Sequence, residues 1–202
     1  MLTFTSIVSV AAAMVVVANA IPMEVEERQI GAQTAGFDDL ATPTVVSLNS
    51  VGVYQGLNYT GISLASQRIS AFAGLVPQSP ANDIYYSTVS SLTPAGAPPQ
   101  VTIPTNAVGL FTPTSIYFGC TVSVPVPCTF TVTGSRNDKE TAQQTFQFTP
   151  TTYPAALQQA VLTAPGFVGV DKIEFSSVYK VFGVSVPGST VLDTFSYVIT
   201  AI

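Results

Sequence analysis

The chain has 202 residues, a formal net charge of −5, 47% hydrophobic and only 8% charged residues, and neither histidine nor tryptophan. That balance excludes a coiled coil or a charged disordered tail. The six cations, Arg28, Arg68, Arg136, Lys139, Lys172 and Lys180, are scattered, so no patch can neutralise phosphates and nucleic acid is excluded as a partner.

Met1 to Ala20 is an uncharged apolar run ending in Ala18-Asn19-Ala20, the small-x-small pattern of signal-peptide cleavage. The competing reading is an uncleaved anchor, but the apolar stretch falls short of a bilayer span. No second such stretch follows, and Tyr197-Val198-Ile199-Thr200-Ala201-Ile202 lacks the spacer and tail of a lipid-anchor signal. The mature protein is expected to be secreted, extracellular or in the cell wall, with no membrane contact. Residues 21–35 carry Glu24, Glu26, Glu27 and Arg28 without apolar periodicity and read as a flexible tail or propeptide. Residues 36–202 then form one domain.

Phe37-Asp38-Asp39-Leu40 opens that domain, and Thr44 to Leu48 is a short β-branched run after Pro43. Val51 to Ile62 predicts a Gly- and Tyr-rich loop followed by a strand. Ala73 to Asp83 has turn chemistry, Tyr85 to Leu92 a strand pattern, and Thr93 to Thr105, with Pro94, Pro98, Pro99 and Pro104, an irregular connection.

Ser115 to Gly134 carries the clearest pattern. Ile116, Phe118, Cys120, Val122, Val124 and Val126 alternate with smaller residues, and the same parity continues through Cys128, Phe130 and Val132. A period of two marks half-buried strands, and the prolines between the two runs predict a connection at 123–127. The stretch reads as a central hairpin whose two cysteines share the buried face and form a cross-strand Cys120–Cys128 disulfide, as a secreted chain permits.

Gly134 to Gln143 gathers Arg136, Asp138, Lys139 and Glu140 and reads as an exposed turn, and Thr145 to Thr149 as a strand with Phe146 and Phe148 inward. Ala155 to Leu162 is compatible with helix or strand. Val170 to Ser176 alternates, and Val191 to Ile199 is a final strand with Phe195, Tyr197 and Ile199 on one face. Many short alternating segments broken by turn residues predict an all-β fold, an antiparallel β-sandwich.

Several motifs, in order, are Phe37-Asp38-Asp39-Leu40, Tyr54-Gln55-Gly56-Leu57-Asn58-Tyr59, Gln78-Ser79-Pro80-Ala81-Asn82, Tyr117-Phe118-Gly119-Cys120, Pro127 to Gly134, and Val191-Leu192-Asp193. Together they resemble a family of secreted fungal β-sandwich proteins of the galactose-binding-domain type. Tyr59 stands where that family has Trp, and Thr194 where it has Asn. The resemblance implies a jelly-roll-like sandwich and an extracellular life, and no activity.

Without histidine, Ser-His-Asp triads and histidine zinc sites are excluded. The carboxylates Asp38, Asp39, Asp83, Asp171, Glu174 and Asp193 show no spacing that selects an acid–base pair, so a glycosidase-like enzyme is the least favoured reading. Asp193 shares the parity of Val191 and Phe195, which turns its carboxylate inward, where it needs a cation or hydrogen-bond donors. The opening and closing segments of related sandwiches lie together and can share calcium, which makes Asp38, Asp39 and Asp193 candidate ligands. The alternative is that Asp193 caps a turn. Tyr54, Tyr59, Tyr85 and Tyr86 are candidates for stacking on sugar rings, against the commoner role of half-buried tyrosines with surface hydroxyls. Asn58-Tyr59-Thr60 is the one glycosylation sequon. The leading reading is a non-catalytic module that binds cell-wall or host glycans. Its rival is an extracellular structural or host-interaction protein with no small ligand.

Overall fold

The computed structural model describes residues 31–41, 49–66, 70–71, 73–79, 81–87, 98–105, 107–186 and 188–201. The leader, most of the tail, the run at 44–48 and much of the connection at 93–105 lie outside the described residues.

The described strands are β1 Gly31–Ala35, β2 Asn49–Tyr54, β3 Leu57–Ser66, β4 Leu75–Val76, β5 Asn82–Ser87, β6 Gln100–Thr102 and β7 Leu110–Thr121. They continue with β8 Cys128–Arg136, β9 Lys139–Phe148, β10 Ala155–Ala156, β11 Gln158–Val161, β12 Lys172–Val181, β13 Val184–Val186 and β14 Ser189–Thr200. One hydrogen-bonded path runs β11-β7-β14-β5-β3-β6-β12-β8-β9.

That path doubles back at β3. Its residues 58–60 pair with β6 and 63–66 with β5, and between them Gly61 takes φ 68°, a conformation that spares a glycine the Cβ clash. The bend divides the path into two facing layers, with β11, β7, β14 and β5 on one side and β6, β12, β8 and β9 on the other. Their apolar faces meet: Phe118 of β7 stacks on Phe130 of β8 with ring centroids 4.5 Å apart, and Phe130 on Phe175 of β12 at 5.8 Å. This is an antiparallel β-sandwich.

Three hairpins close through two-residue turns with both central residues at positive φ: Gln55-Gly56, Asn137-Asp138 and Phe182-Gly183. Such turns match the right-handed twist of the strands they join. The charged segment at 134–143 is therefore mostly strand, and only Asn137-Asp138 turns. Ala155 to Leu162 resolves as the short strands β10 and β11 rather than as helix.

The central hairpin expected over 115–134 does not form. β7 pairs with β14 and β11, whereas β8 pairs with β12 and β9. The two strands belong to opposite layers, joined by an arch over 122–127 that Val126 N pins to Cys120 O at 3.0 Å. The disulfide is present, with Cα atoms 6.2 Å apart, but it staples layer to layer instead of crossing a ladder. A hairpin and an arch both turn the same alternate residues inward, which is why the parity was right and the pairing wrong.

The domain also starts earlier than the expected residue 36. β1 is not tail: it pairs antiparallel with β14 from Gly31↔Ile199 to Ala35↔Phe195. Of the proline-rich connection, 100–102 forms β6, bridging β3 and β12.

Candidate functional site

The ends of the domain meet around Asp193. In β14 the register slips between Asp193 and Ser196, and Thr194 takes φ 48°. This bulge lets β5 pair with residues 189–192 and β1 with residues 195–199, while Asp193 is left fully buried at the junction. Its Oδ2 accepts the N–H groups of Gln78 and Ser79, both at 2.8 Å. Its Oδ1 accepts the Ser79 hydroxyl at 3.0 Å, the Thr194 N–H at 2.6 Å and the Thr194 hydroxyl at 3.2 Å. Asp38 Oδ1 accepts the N–H of Asn82 at 3.0 Å, and Asp39 Oδ1 the hydroxyl of Tyr54 at 2.5 Å. Asn82 Nδ2 in turn donates to the carbonyls of Phe37 at 3.1 Å and Leu40 at 2.7 Å.

The opening and closing segments thus come together as expected, but Ser79 and Asn82 join them. Of the proposed calcium ligands, Asp193 spends both oxygens on these donors, whereas Asp38 and Asp39 are exposed and accept through Oδ1. Among the described residues no three His, Cys, Asp or Glu side chains gather in a group able to hold a metal ion. Amide and hydroxyl donors meet the need of the buried Asp193 carboxylate, the requirement that motivated a cation there.

Asp83 is the unusual acid here. It is fully buried, its Oδ2 accepts the Ser70 hydroxyl, and its Oδ1 has no partner. Burial pushes its carboxyl up to about 8. The Ser70 bond works in the opposite direction, and the nearby Asp193 and Asp38 charges raise it further. Burial also raises Asp193, against the donors from Ser79 and Thr194. Asp83 and Asp193 are sealed from solvent, so their carboxyls meet protein groups and not an external one. Sequence parity did not flag Asp83, because every residue of β5 is buried, whichever face it is on.

The four candidate sugar-stacking tyrosines are all buried, and this corrects the expected platform. Tyr54 and Tyr59 pack on Phe37 with centroids 5.2 and 5.5 Å away. Tyr86 lies parallel to Phe175 at 6.5 Å with its hydroxyl 2.5 Å from Ser177 Oγ, and Tyr85 sits beside it in β5. Tyr59 in β3 and Tyr85 and Tyr86 in β5 stand in strands paired on both edges, and Tyr54, the last residue of β2, is buried against Phe37, so none of these rings offers a free face. Asn58 is half-buried in β3, and its Nδ2 donates to its own sequon's Thr60 hydroxyl at 3.4 Å.

Among the described residues two aromatic rings are exposed, Tyr153 and Phe182, and the sequence singled out neither. Tyr153 is 68% exposed and lies against Gly74. A Cβ added at Gly74 would collide with Cε2 of Tyr153, and it would stand 3.0 Å from Cδ2 of that ring and 2.9 Å from Cδ of Pro125. Gly74 therefore seats the aromatic ring and the proline ring together. The backbone beneath is held by Ala155 N donating to Gly74 O at 2.8 Å and by the parallel β4–β10 pair. Only Thr152-Tyr153-Pro154, an X-Pro turn signal, marked the spot in sequence.

On the outer face of β8 and β9, three side-chain pairs stand in register. Thr129 donates to Gln147 Oε1 at 3.1 Å, the Thr131 and Thr145 hydroxyls are 3.2 Å apart, and Gln143 Nε2 donates to Thr133 at 3.3 Å.

No family model matches the sequence, and a search of curated proteins returns no match. Among solved structures the chain is similar to a DUF4465 family protein from Bacteroides caccae, at 12% identity over 71% of this chain and 80% of the other, with a TM-score of 0.49. It is similar to a DUF4465 family protein from Bacteroides ovatus, at 9% identity over 76% and 82%, with a TM-score of 0.46. A third likeness is to the K1 cleaved adhesin domain of Lys-gingipain from Porphyromonas gingivalis, at 12% identity over 85% and 98%, with a TM-score of 0.41. Of the resemblance to a fungal family, the β-sandwich fold is what stands.

Proposed function

We propose that this is a secreted, non-catalytic domain that binds a neutral glycan of a cell wall, using Tyr153 as the stacking platform. The observation that carries the reading is a tyrosine ring seated on a glycine, flanked by a proline ring and left open to solvent. An amphipathic ring held in place in this way covers the apolar face of a pyranose at little conformational cost. Two of the acids that catalysis could have used, Asp83 and Asp193, are sealed from substrate, which supports binding over catalysis.

The test is an unbiased glycan array on the purified protein, followed by titration of wild type, Tyr153→Ala and Tyr153→Phe. Tyr153→Ala is expected to weaken binding at least about tenfold, equivalent to about 1.4 kcal/mol. Tyr153→Phe should retain it, because the ring and not the hydroxyl does the stacking. Equal affinity of Tyr153→Ala and wild type would sink the reading. Binding to no glycan would favour the structural or host-interaction alternative, which the fully exposed Phe182 at the β12–β13 turn supports.

Secretion and a glycan on Asn58 belong to the same proposal, motivated by the leader-like run, the disulfide and the half-buried sequon. Native-source protein is expected to lose mass on N-glycanase treatment and to migrate faster. An unchanged mass would mean that the sequon is unused.

A further inference from the structure

Tyr153 stands at one end of a third layer laid on the outer face of β7. Residues 73–79 run along that face in the opposite direction to β7. Thr121 Oγ1 donates to Ala73 O at 3.3 Å, Leu75 reaches Gly119, and the Gln78 and Ser79 N–H groups bind Asp193, which pairs with Tyr117. From the other side Leu157 reaches the same glycine: a Cβ on Gly119 would stand 2.6 Å from Leu157 and 3.1 Å from Leu75. The missing side chain lets β4 and β10 close over β7 as a parallel pair.

Alternation within this pair sets the chemistry of its outer side. Leu75 and Ala155 are buried against β7, so their successors Val76 and Ala156, partners in register, face outward and are exposed. Tyr153 and Pro154, both exposed, continue the strip. No charged residue occurs in 69–82, 84–135 or 141–170, the stretches that hold β4, β7, β10, β11 and the Tyr153 turn. The one acid beneath, Asp193, is fully buried. Such a surface has no attraction for a polyanion. Lying on top of a sheet layer, the strip is a ridge, and a ridge does not enclose a lone chain. What it offers is apolar area, which stabilises in proportion to the area covered. A sugar chain fixed in a solid has already lost the freedom that a soluble chain gives up on binding.

We infer that the ligand is the flat face of an insoluble, uncharged polysaccharide, on which Tyr153 and the β4–β10 ridge lie together. This rests on the platform reading and adds the physical state and charge class of the ligand.

The experiment uses the full chain with particles of cellulose, chitin and mannan, each set against the soluble hexasaccharide of the same sugar. Insoluble polygalacturonate is the charged comparison. Binding isotherms are run on wild type, Tyr153→Ala, Ala156→Glu and Val76→Ala. Wild type is expected to bind one of the neutral particles at least about tenfold more tightly per site than the matching hexasaccharide. Ala156→Glu, which sets a charge on the ridge, should keep hexasaccharide binding and lose that advantage. Val76→Ala, which only trims exposed apolar area, should reduce the advantage without changing the melting temperature, and it carries the test if Ala156→Glu melts early. Tyr153→Ala should weaken binding to particle and hexasaccharide alike. Equal wild-type affinity for the two forms, ridge variants that keep the full advantage, or preference for polygalacturonate would overturn the inference while leaving the platform reading intact. So would self-association in sedimentation that Ala156→Glu abolishes, since the ridge would then be a contact between copies. Binding that survives Tyr153→Ala, or no binding to either form, would overturn the platform reading itself.

Discussion

Stability should fall as pH rises from about 4 to about 8, and Asp83→Asn should abolish most of that fall. The group ordinarily titrates at 3.8, as it does in the unfolded chain, and burial raises it to about 8 in the fold. Between those values the folded state keeps a proton that the unfolded chain has released, so each step up in pH favours unfolding. The stabilising contribution is complete below about pH 4 and is lost above about pH 8. A separation of this size is worth on the order of 5 kcal/mol. Asp193 is raised as well and acts with the same sign. Urea unfolding across this range should show a clear slope for wild type and a shallower one for Asp83→Asn, the remainder coming from Asp193. The variant should be the more stable of the two at pH 8, with little difference at pH 4. Parallel wild-type and variant curves would mean that Asp83 is solvated and ordinary.

How much of this was legible in the sequence depends on whether the deciding contact is local. Alternation identified the inward residues Ile116, Phe118, Cys120, Cys128, Phe130 and Val132 correctly, and all are buried. It could not say that β14 and β12 would each insert beside one of the two strands, because that pairing is made with chain far along the sequence. The inward turn of Asp193 was readable from its parity with Phe195, but its donors at Gln78 and Ser79 were not. Tyr85 and Tyr86 mislead because a central strand covers both faces, which defeats the rule that one face of an alternating strand meets water. Tyr153 went unnoticed because its exposure is set by Gly74, a residue that becomes its neighbour only when β4 and β10 pair.

The double substitution Cys120→Ala/Cys128→Ala is expected to lower stability by about 2.5 kcal/mol through loop closure alone, the two cysteines being 8 residues apart in sequence. Both sulfurs are buried where the layers meet, so the lost volume adds to that figure. For a domain of this size the melting temperature should drop by roughly 5–10 °C. The bridge is not the only tie at this end of the sandwich. Thr190, paired with Cys120, donates to Ser177 Oγ at 2.8 Å and lies 2.5 Å from the Tyr179 hydroxyl, while Tyr179 pairs with Cys128 and Ser177 meets Tyr86. This chain of hydroxyls spans from β5 and β14 to β12, layer to layer, beside the sulfurs. The fold without the bridge should therefore survive, with the Phe118–Phe130 stack intact, and its loss of stability should come mainly from the freer unfolded chain, the lost sulfur volume adding to it. In urea the variant should show a lower midpoint and a slope at least as steep as wild type, since an unlinked denatured chain exposes more surface. An unchanged midpoint would mean that the arch is held by aromatic packing and hydroxyls alone. Loss of cooperative unfolding would mean that the two layers cannot dock without the bridge.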